Sequence, residues 1–486
     1  MRLALGALAL VALQVVFAAP AAAAVDEQTV KALIERIEAQ EARIAELEKA
    51  NEARLAELGK AEGAETKAGA PAVVASAPVP APAPALPFKI ETKGGLKIES
   101  PDGKNSFSFG GRIQVDAAQY SNDRDTAGND VFGNGTAFRR VRFDVKGKIQ
   151  EDWGYRVQYD FADIGPIGLK DAYISFDRYE PWKLQIGQFF QPFGLERQTS
   201  SNNITFLERA MPTNAITPDR AIGIALATGG TLGDGKLGDF MPFWTAKSGV
   251  FGMRAQDDTN SVANGADESI DLTGRVTIAP LYNATQLVQL GASFRRQETN
   301  DASAFTRFRA LPEVAVSQFR LVDTGDLSGG TGLVRDFSQF GVDLATLWGP
   351  FAAQGEWMKT NVDRGGGLSN PSFDGGYGQV SWLLTGETRG FKPADAVHEK
   401  VKPKRNFGDD GWGAWEVAAR YSTLDLSDAG VIGGKEDNLT LGLNWYPNES
   451  LRFMANYIRV LDLDRPGNVS NDVEPNILVI RSQVVW

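Results

Sequence analysis

From Ser106 to Trp486, apolar and polar residues alternate in one short stretch after another. Val141-Arg142-Phe143-Asp144-Val145-Lys146-Gly147-Lys148-Ile149 is one case, and Tyr155–Phe161, Leu287–Phe294, Trp415–Tyr421, Leu439–Trp445 and Leu451–Tyr457 repeat it. Successive side chains of a strand point to opposite faces, so each stretch makes a strand with one apolar and one polar side. A soluble sandwich and a lipid-facing barrel both read this way. Three features favour the barrel. Trp153, Trp182, Trp445 and Tyr446 stand at strand ends, where an interfacial girdle needs aromatics. Short turns such as Gln150-Glu151-Asp152 and Tyr446–Ser450 alternate with long loops. The polar face carries Arg, Lys, Asp and Gln, as a wet lumen would.

Sixteen such strands begin near Ser106, Ala137, Trp153, Leu169, Trp182, Ala221, Trp244, Ile270, Leu287, Ser338, Phe351, Gly375, Ala414, Asn438, Leu451 and Asn476. The expected fold is an all-β membrane protein, a 16-stranded antiparallel transmembrane β-barrel over 89–486. A short N-terminal coiled-coil helix precedes it. By strand parity the long segment Thr385–Gly413 falls on the periplasmic side, where turns should be short, and this sits uneasily with the count. The last strand closes on Trp486, a variant of the terminal aromatic that marks outer-membrane insertion.

The chain of 486 residues has no Cys, which excludes disulfides, thiolate catalysis and Cys-based metal sites. Its single His398 argues against His-based catalysis and His-cluster metal sites, and within the charged segment Lys392–Arg405 it reads as a solvated loop residue. No catalytic residue, metal or cofactor is expected, and the chain reads as a non-enzyme. The net charge of −11 argues against nucleic-acid binding, so any anion preference must come from local charge.

Arg2, the apolar run Leu3–Phe17 and Ala22-Ala23-Ala24 form a signal peptide over 1–24, which sends the chain to a Gram-negative outer membrane. Residues 25–58 carry heptads, with Val30, Leu33, Ile37, Ile44, Leu47 and Leu58 on one seam. Isolated helices are marginal in water, so this one is expected to associate. Residues 59–88 are an Ala/Pro/Gly-rich linker, extended and without a core.

One connection is too long for a turn and too irregular for a strand. Phe189–Asp219 mixes Phe189, Phe190, Phe193 and Phe206 with two Leu-Glu-Arg triplets, Leu195-Glu196-Arg197 and Leu207-Glu208-Arg209. That many large apolar side chains suit a loop packed inside the barrel, narrowing the lumen. On the second strand, Arg140, Arg142, Lys146 and Lys148 share the face opposite Val141, Phe143 and Val145, with Arg139 beside them. Arg156, Arg275, Arg295 and Arg420 also fall on lumenal positions, along with Asp144, Asp160 and Glu416. Extended, Thr306–Arg309 would hold Arg307 and Arg309 about 7 Å apart on one face. Two guanidiniums at that spacing could pass an oxyanion from one bidentate grip to the next.

The residues resemble the phosphate- and polyphosphate-selective porins, the porin O/P family. The resemblance covers about Lys89 to Trp486. Its carriers include Gly110-Gly111-Arg112-Ile113-Gln114, Phe138-Arg139-Arg140, Phe193-Gly194-Leu195-Glu196, Thr199-Ser200-Ser201, Leu207-Glu208-Arg209, Leu384-Thr385-Gly386-Glu387 and Leu443-Asn444-Trp445-Tyr446. The resemblance implies a homotrimer of sixteen-stranded barrels with an inward-folded third loop. It also implies an arginine ladder that leads anions to a constriction. The matching positions are Arg139, Arg140 and Arg209; Arg307 and Arg309 look like the start of the ladder, and Asp171 resembles an acidic residue near the family's anion site. The chain departs from the family where lysines are expected, with Arg197 and Asn202, and where the ladder should continue, with Ala310-Leu311-Pro312-Glu313. These departures point to a broad anion preference.

The expected function is passive diffusion of small anions, phosphate or polyphosphate first, past lumenal Arg139, Arg140, Arg142, Arg197, Arg209, Arg307 and Arg309, with outer-membrane lipid around the barrel. The rival is a general-diffusion porin whose coiled coil tethers the barrel to peptidoglycan.

Overall fold

A computed structural model describes residues 88–486, apart from 93, 164–167, 234–236, 253–267, 300–305, 328–333, 469–470 and 472. The expected signal peptide, the coiled coil and all but the last residue of the linker lie outside the described residues. The sixteen long strands are β1 (Ser106–Ser121), β2 (Gly135–Ile149), β3 (Trp153–Asp160), β4 (Leu169–Phe176), β5 (Lys183–Phe190), β6 (Arg220–Thr231), β7 (Phe243–Phe251) and β8 (Ile270–Tyr282). They continue as β9 (Gln286–Glu298), β10 (Val334–Trp348), β11 (Phe351–Arg364), β12 (Ser372–Leu383), β13 (Ala414–Asp428), β14 (Val431–Tyr446), β15 (Leu451–Asp464) and β16 (Asn476–Val485). Each pairs antiparallel with the next. β16 pairs with β1, from Asn476 opposite Ser121 to Val485 opposite Arg112, so the barrel closes. Closure leaves no unpaired edge, as a lipid-facing backbone requires.

The usual inside-outside rule is inverted. On β9 and β10 the apolar Leu290, Val342 and Leu344 face outward and are exposed, while Gln289, Gln339 and Asp343 are buried inside. Aromatics ring the end where the barrel chain enters and leaves, called here the near end. There Phe351 stacks on Trp382 at 5.5 Å, and Trp445 lies between Trp415 and Phe453 at 5.6 and 5.5 Å.

A short hairpin, Lys89–Glu91 with Leu96–Glu99, zips onto the start of β1 below the point where β16 stops. Trp486 is wedged at that junction, exchanging backbone hydrogen bonds with Gly111 at 3.0 and 3.1 Å. A Cβ on Gly110 would stand 2.6 Å from the Trp486 carbonyl oxygen, so this close approach requires glycine.

Three connections fill much of the lumen. L3 (191–219) and L5 (299–333, described over 306–327) enter from the far end. Phe193, Leu207, Met211 and Ile216 of L3 join Phe308, Val314, Leu321 and Leu327 of L5 in one core. Inward-facing Met358 and Val362 of β11, Phe373 of β12, Leu424 of β13, Ile458 of β15 and Ile477 of β16 complete it. The third connection, 384–413 between β12 and β13, enters from the near end. The uneasy parity therefore reflects the molecule and not a miscount. The segment is long because it folds inward. Phe391 and Ala396 pack with Leu195 of L3 and with inward Phe243, Leu287 and Leu347.

This corrects one expectation. His398 is buried at 4% exposure, its ring 5.6 Å from Phe391 in an edge-on contact. It sits in a two-residue strand pair, Phe391–Lys392 with Val397–His398. One face of that pair turns into the barrel, while the exposed face carries charges such as Lys392.

Candidate functional site: an arginine-lined path

With β11–β16 packed against L3 and L5, open volume remains along the opposite wall. A cavity of about 960 Å³ lies there, bordered mainly by strands of the β1–β10 side and by L3. Ten arginines, one lysine and five carboxylates face it. A chain with net charge −11 therefore holds a locally cationic interior.

Arg139 and Arg140 both reach this interior because β2 carries a bulge. Its register on β1 slips between Gln114 and Val115, so neighbouring residues are aimed to one side. Between them stands Glu208 of L3. It accepts two hydrogen bonds from Arg139 at 2.7 and 2.9 Å, one from Arg140 at 3.3 Å and one from Arg481 of β16 at 2.7 Å. Burial alone would raise the Glu208 carboxyl, but these three guanidiniums outweigh it and hold it well below the usual carboxylate range.

The two triplets of L3 turn out to be fasteners. Leu195 and Leu207 are fully buried. Glu196 holds Thr213 Oγ1 and the Ala210 N–H at 2.8 and 3.0 Å, and pairs with Arg420 of β13 at 3.4 Å. Arg209 donates to the carbonyls of Glu196, Thr199 and Arg197 at 2.9, 2.8 and 3.3 Å. Arg197 donates to Thr217 Oγ1 and the Thr213 carbonyl at 2.7 and 2.6 Å. Both arginines face the cavity while gripping the loop itself, Arg209 through three of its carbonyls and Arg197 through one carbonyl and one hydroxyl. Glu356 of β11 accepts the N–H groups of Leu195 and Glu196 at 2.9 and 2.6 Å and fixes the loop's first turn.

The other candidate residues divide. Arg142 lines the cavity and is tied to Asp160 at 2.6 Å and Gln158 at 3.3 Å. Asp171 bridges Arg220 at 2.6 Å and Arg156 at 3.2 Å. Arg307 borders the cavity and is clasped by Asp323. Arg309 shares its exposed face but is not among the lining residues. Ala310-Leu311-Pro312-Glu313 does not extend a ladder. Glu313 is buried in the packed half, accepting from Arg420 and Ser422 at 2.6 Å and from Thr440 at 2.7 Å.

A second cavity of about 380 Å³ opens toward the near end, beside Lys97 of the hairpin, Lys146 and Trp486. Arg112, Arg142, Arg156, Gln158 and Ser200 border both cavities, so the path narrows there. Arg142 and Arg156 have carboxylate partners. Arg112 is 6% exposed, donates to Ser201 Oγ at 2.7 Å and has no carboxylate partner among the described residues. The sequence reading passed over it as a site residue. The signal was present, since Arg112 and Gln114 alternate with the outward Ile113.

Residues 107–486 match a protein-family model described as phosphate-selective porin O and P. An uncharacterized protein of Caulobacter vibrioides is 30% identical over 400 residues, which cover 80% of this chain and 75% of that protein. Porin O of Pseudomonas aeruginosa is 28% identical over 427 residues, covering 82% and 92%. Among solved structures, the anion-selective porin from Comamonas acidovorans aligns over 79% of this chain and 100% of its own, with a TM-score of 0.47 and 14% identity. The outer-membrane channel DcaP of Acinetobacter baumannii aligns over 80% and 99%, with a TM-score of 0.42 and 13% identity.

Proposed function

Because this chain belongs to the family of phosphate-selective porins O and P, we propose that it is an outer-membrane porin for passive diffusion of small anions, phosphate or polyphosphate among them. The barrel works as a homotrimer in lipid, with its near end in the periplasm. The observation that carries the reading is Arg112, a buried guanidinium without a carboxylate partner among the described residues, at the point shared by the two cavities.

An oxyanion arriving there gives up water for charge-assisted hydrogen bonds from Arg112, with Ser200 and Ser201 beside it. Arg142 and Arg156 are already paired with Asp160, Asp144 and Asp171. Their charge is offset by those carboxylates, so they offer no second free grip. That balance keeps affinity modest, as conduction demands. The carboxylates facing the path suit a broad anion preference better than a strict phosphate filter. The tether role rests on residues 25–58 and gains no support from the barrel.

Single-channel recording in planar bilayers under a KCl gradient tests this. The wild-type reversal potential is expected to show anion preference, and phosphate to block chloride current. Arg112→Gln removes one charge-assisted contact of about 1.5–3 kcal/mol, so phosphate block weakens about 10- to 100-fold. A cation-preferring wild type, or block untouched by Arg112→Gln, rejects the reading.

A further inference from the structure

The inward-folded connection 384–413 touches L3 at the part of the loop that shapes the narrow point. Arg389 donates to the Asn203 carbonyl of L3 at 2.9 Å and forms an ion pair with Glu416 of β13. Arg452 of β15 donates to the carbonyls of Ile204 and Thr205 at 2.8 and 2.7 Å. Two guanidiniums thus grip consecutive L3 carbonyls, one from the wall and one from the connection. One residue before them, across Asn202, come Ser200, which borders both cavities, and Ser201, which accepts from Arg112.

His398 meets the same L3 residue as Arg389: its backbone carbonyl lies 3.5 Å from Asn203 Nδ2, and its Nδ1 is buried without a partner among the described residues. The charged and titratable groups around it come from every neighbouring element. Arg389 and Glu399 belong to the same connection, Glu416 to β13, Tyr446 to β14 and Arg452 to β15. L3 packs its short turn Leu195–Gln198 on Val397–His398, but Glu196 and Arg197 there are engaged elsewhere. Burial and the neighbouring Arg389 push the imidazole down to about 3, against the opposing pull of Glu416.

Resting on the anion-porin reading, we propose that Arg389 is a positioning residue for the narrow point, holding L3 through Asn203, and that protonation of His398 undoes this hold. A free histidine titrates near 6.5, so the docked connection needs the neutral ring. Its stability is full above about 6.5 and is lost as pH falls toward about 3. An imidazolium beside Arg389 adds a like charge in a dry site, and the connection leaves with Arg389. Ser200 and Ser201 then lose their place opposite Arg112. Water enters where Phe391 and Ala396 had packed, so conductance rises and anion preference falls. Acid acting only on the lumenal carboxylates has the opposite sign, because it removes negative charge.

The experiment is the reversal potential and conductance of single channels at about pH 7 and about pH 4.5, on either side of the window's centre. In the wild type, the anion-to-cation permeability ratio is expected to fall on acidification and the conductance to rise. His398→Gln and His398→Phe, which cannot take up the proton, hold both constant or gain anion preference. Arg389→Gln shows the wild-type acid values already at neutral pH. Both His398 variants following the wild-type pH profile overturns the proposal, as does an Arg389→Gln channel with unchanged neutral selectivity. A cation-selective wild type at neutral pH sinks the anion reading instead. Conductance against pH, wild type versus His398→Gln, still decides the clamp.

Discussion

Glu208 is the point where the design of the lumen can be tested most sharply. Its carboxylate, 6% exposed, takes four hydrogen bonds from Arg139, Arg140 and Arg481, which come from β2 and β16. Glu208→Gln keeps the shape and removes the charge. Breaking a buried ion pair by deleting one partner costs about 3–5 kcal/mol, because the other charge stays buried. Asp116 still holds Arg481 at 2.6 and 2.7 Å, so the lower end applies. A loss of about 3 kcal/mol shifts the docked-to-undocked ratio of L3 about a hundredfold. Amide hydrogen exchange reads this directly. The Thr199 and Ala210 N–H groups, bonded to the Leu195 carbonyl and to Glu196 Oε2, should exchange about a hundredfold faster if they follow this opening. Amides of the β8–β9 ladder should not change. Unchanged L3 exchange refutes the fastener role, and equal acceleration in β8–β9 means the whole barrel has loosened instead.

Glu313→Ala removes the acceptor for Arg420, Ser422 and Thr440 in the packed half, and single-channel conductance should rise as L5 leaves the lumen. A Cβ on Gly341 would lie 2.8 Å from the Phe193 ring, so Gly341→Leu should evict that fully buried ring at a cost of about 3–5 kcal/mol. Faster exchange of the Gly194 N–H, which donates to Ser293 Oγ at 3.0 Å, reports it. The two inward connections should part company on acidification. Burial opposes the Asp323 carboxylate, but hydrogen bonds from Arg307 and the Gly325 N–H hold it below its usual range. Its contribution to L5 is therefore present above about 4 and is lost only below that, whereas the His398 window opens at about 6.5. At about pH 5, exchange should quicken in 389–401 while 306–327 stays protected.

The barrel was legible because lipid on one side and water on the other impose a strict period of two. All sixteen strands lie where the alternation put them, and a closed ring of them follows. L3 was legible from its surplus of aromatics. The roles of its arginines were not. A guanidinium that grips a backbone carbonyl and one that awaits an anion look identical in sequence, and Arg197 and Arg209 grip carbonyls while facing the cavity. Glu313 seemed to interrupt a ladder, but only its three partners from β13 and β14 reveal an anchor. His398 was misread because local charge describes only the exposed face of its strand pair. One clue lay unused at the ends of β15 and β16. Ile477-Leu478-Val479-Ile480 is apolar on both faces, which signals a lumen that is packed rather than wet at that height.

The seam between β16 and β1 carries a consequence for how the molecule is made. Arg481 and Asp116 meet across 365 residues of chain, so the ring cannot shut until its final strand has been delivered. Until then two long edges lie open to pairing with other chains. Glu208 contacts β2 on one side of that seam and β16 on the other. L3 can settle only in a barrel whose ends have met, and once settled it clips them together. Assembly therefore has a built-in order, strands first, closure next and the narrow point last, so a barrel that stays unclosed does not acquire a working path.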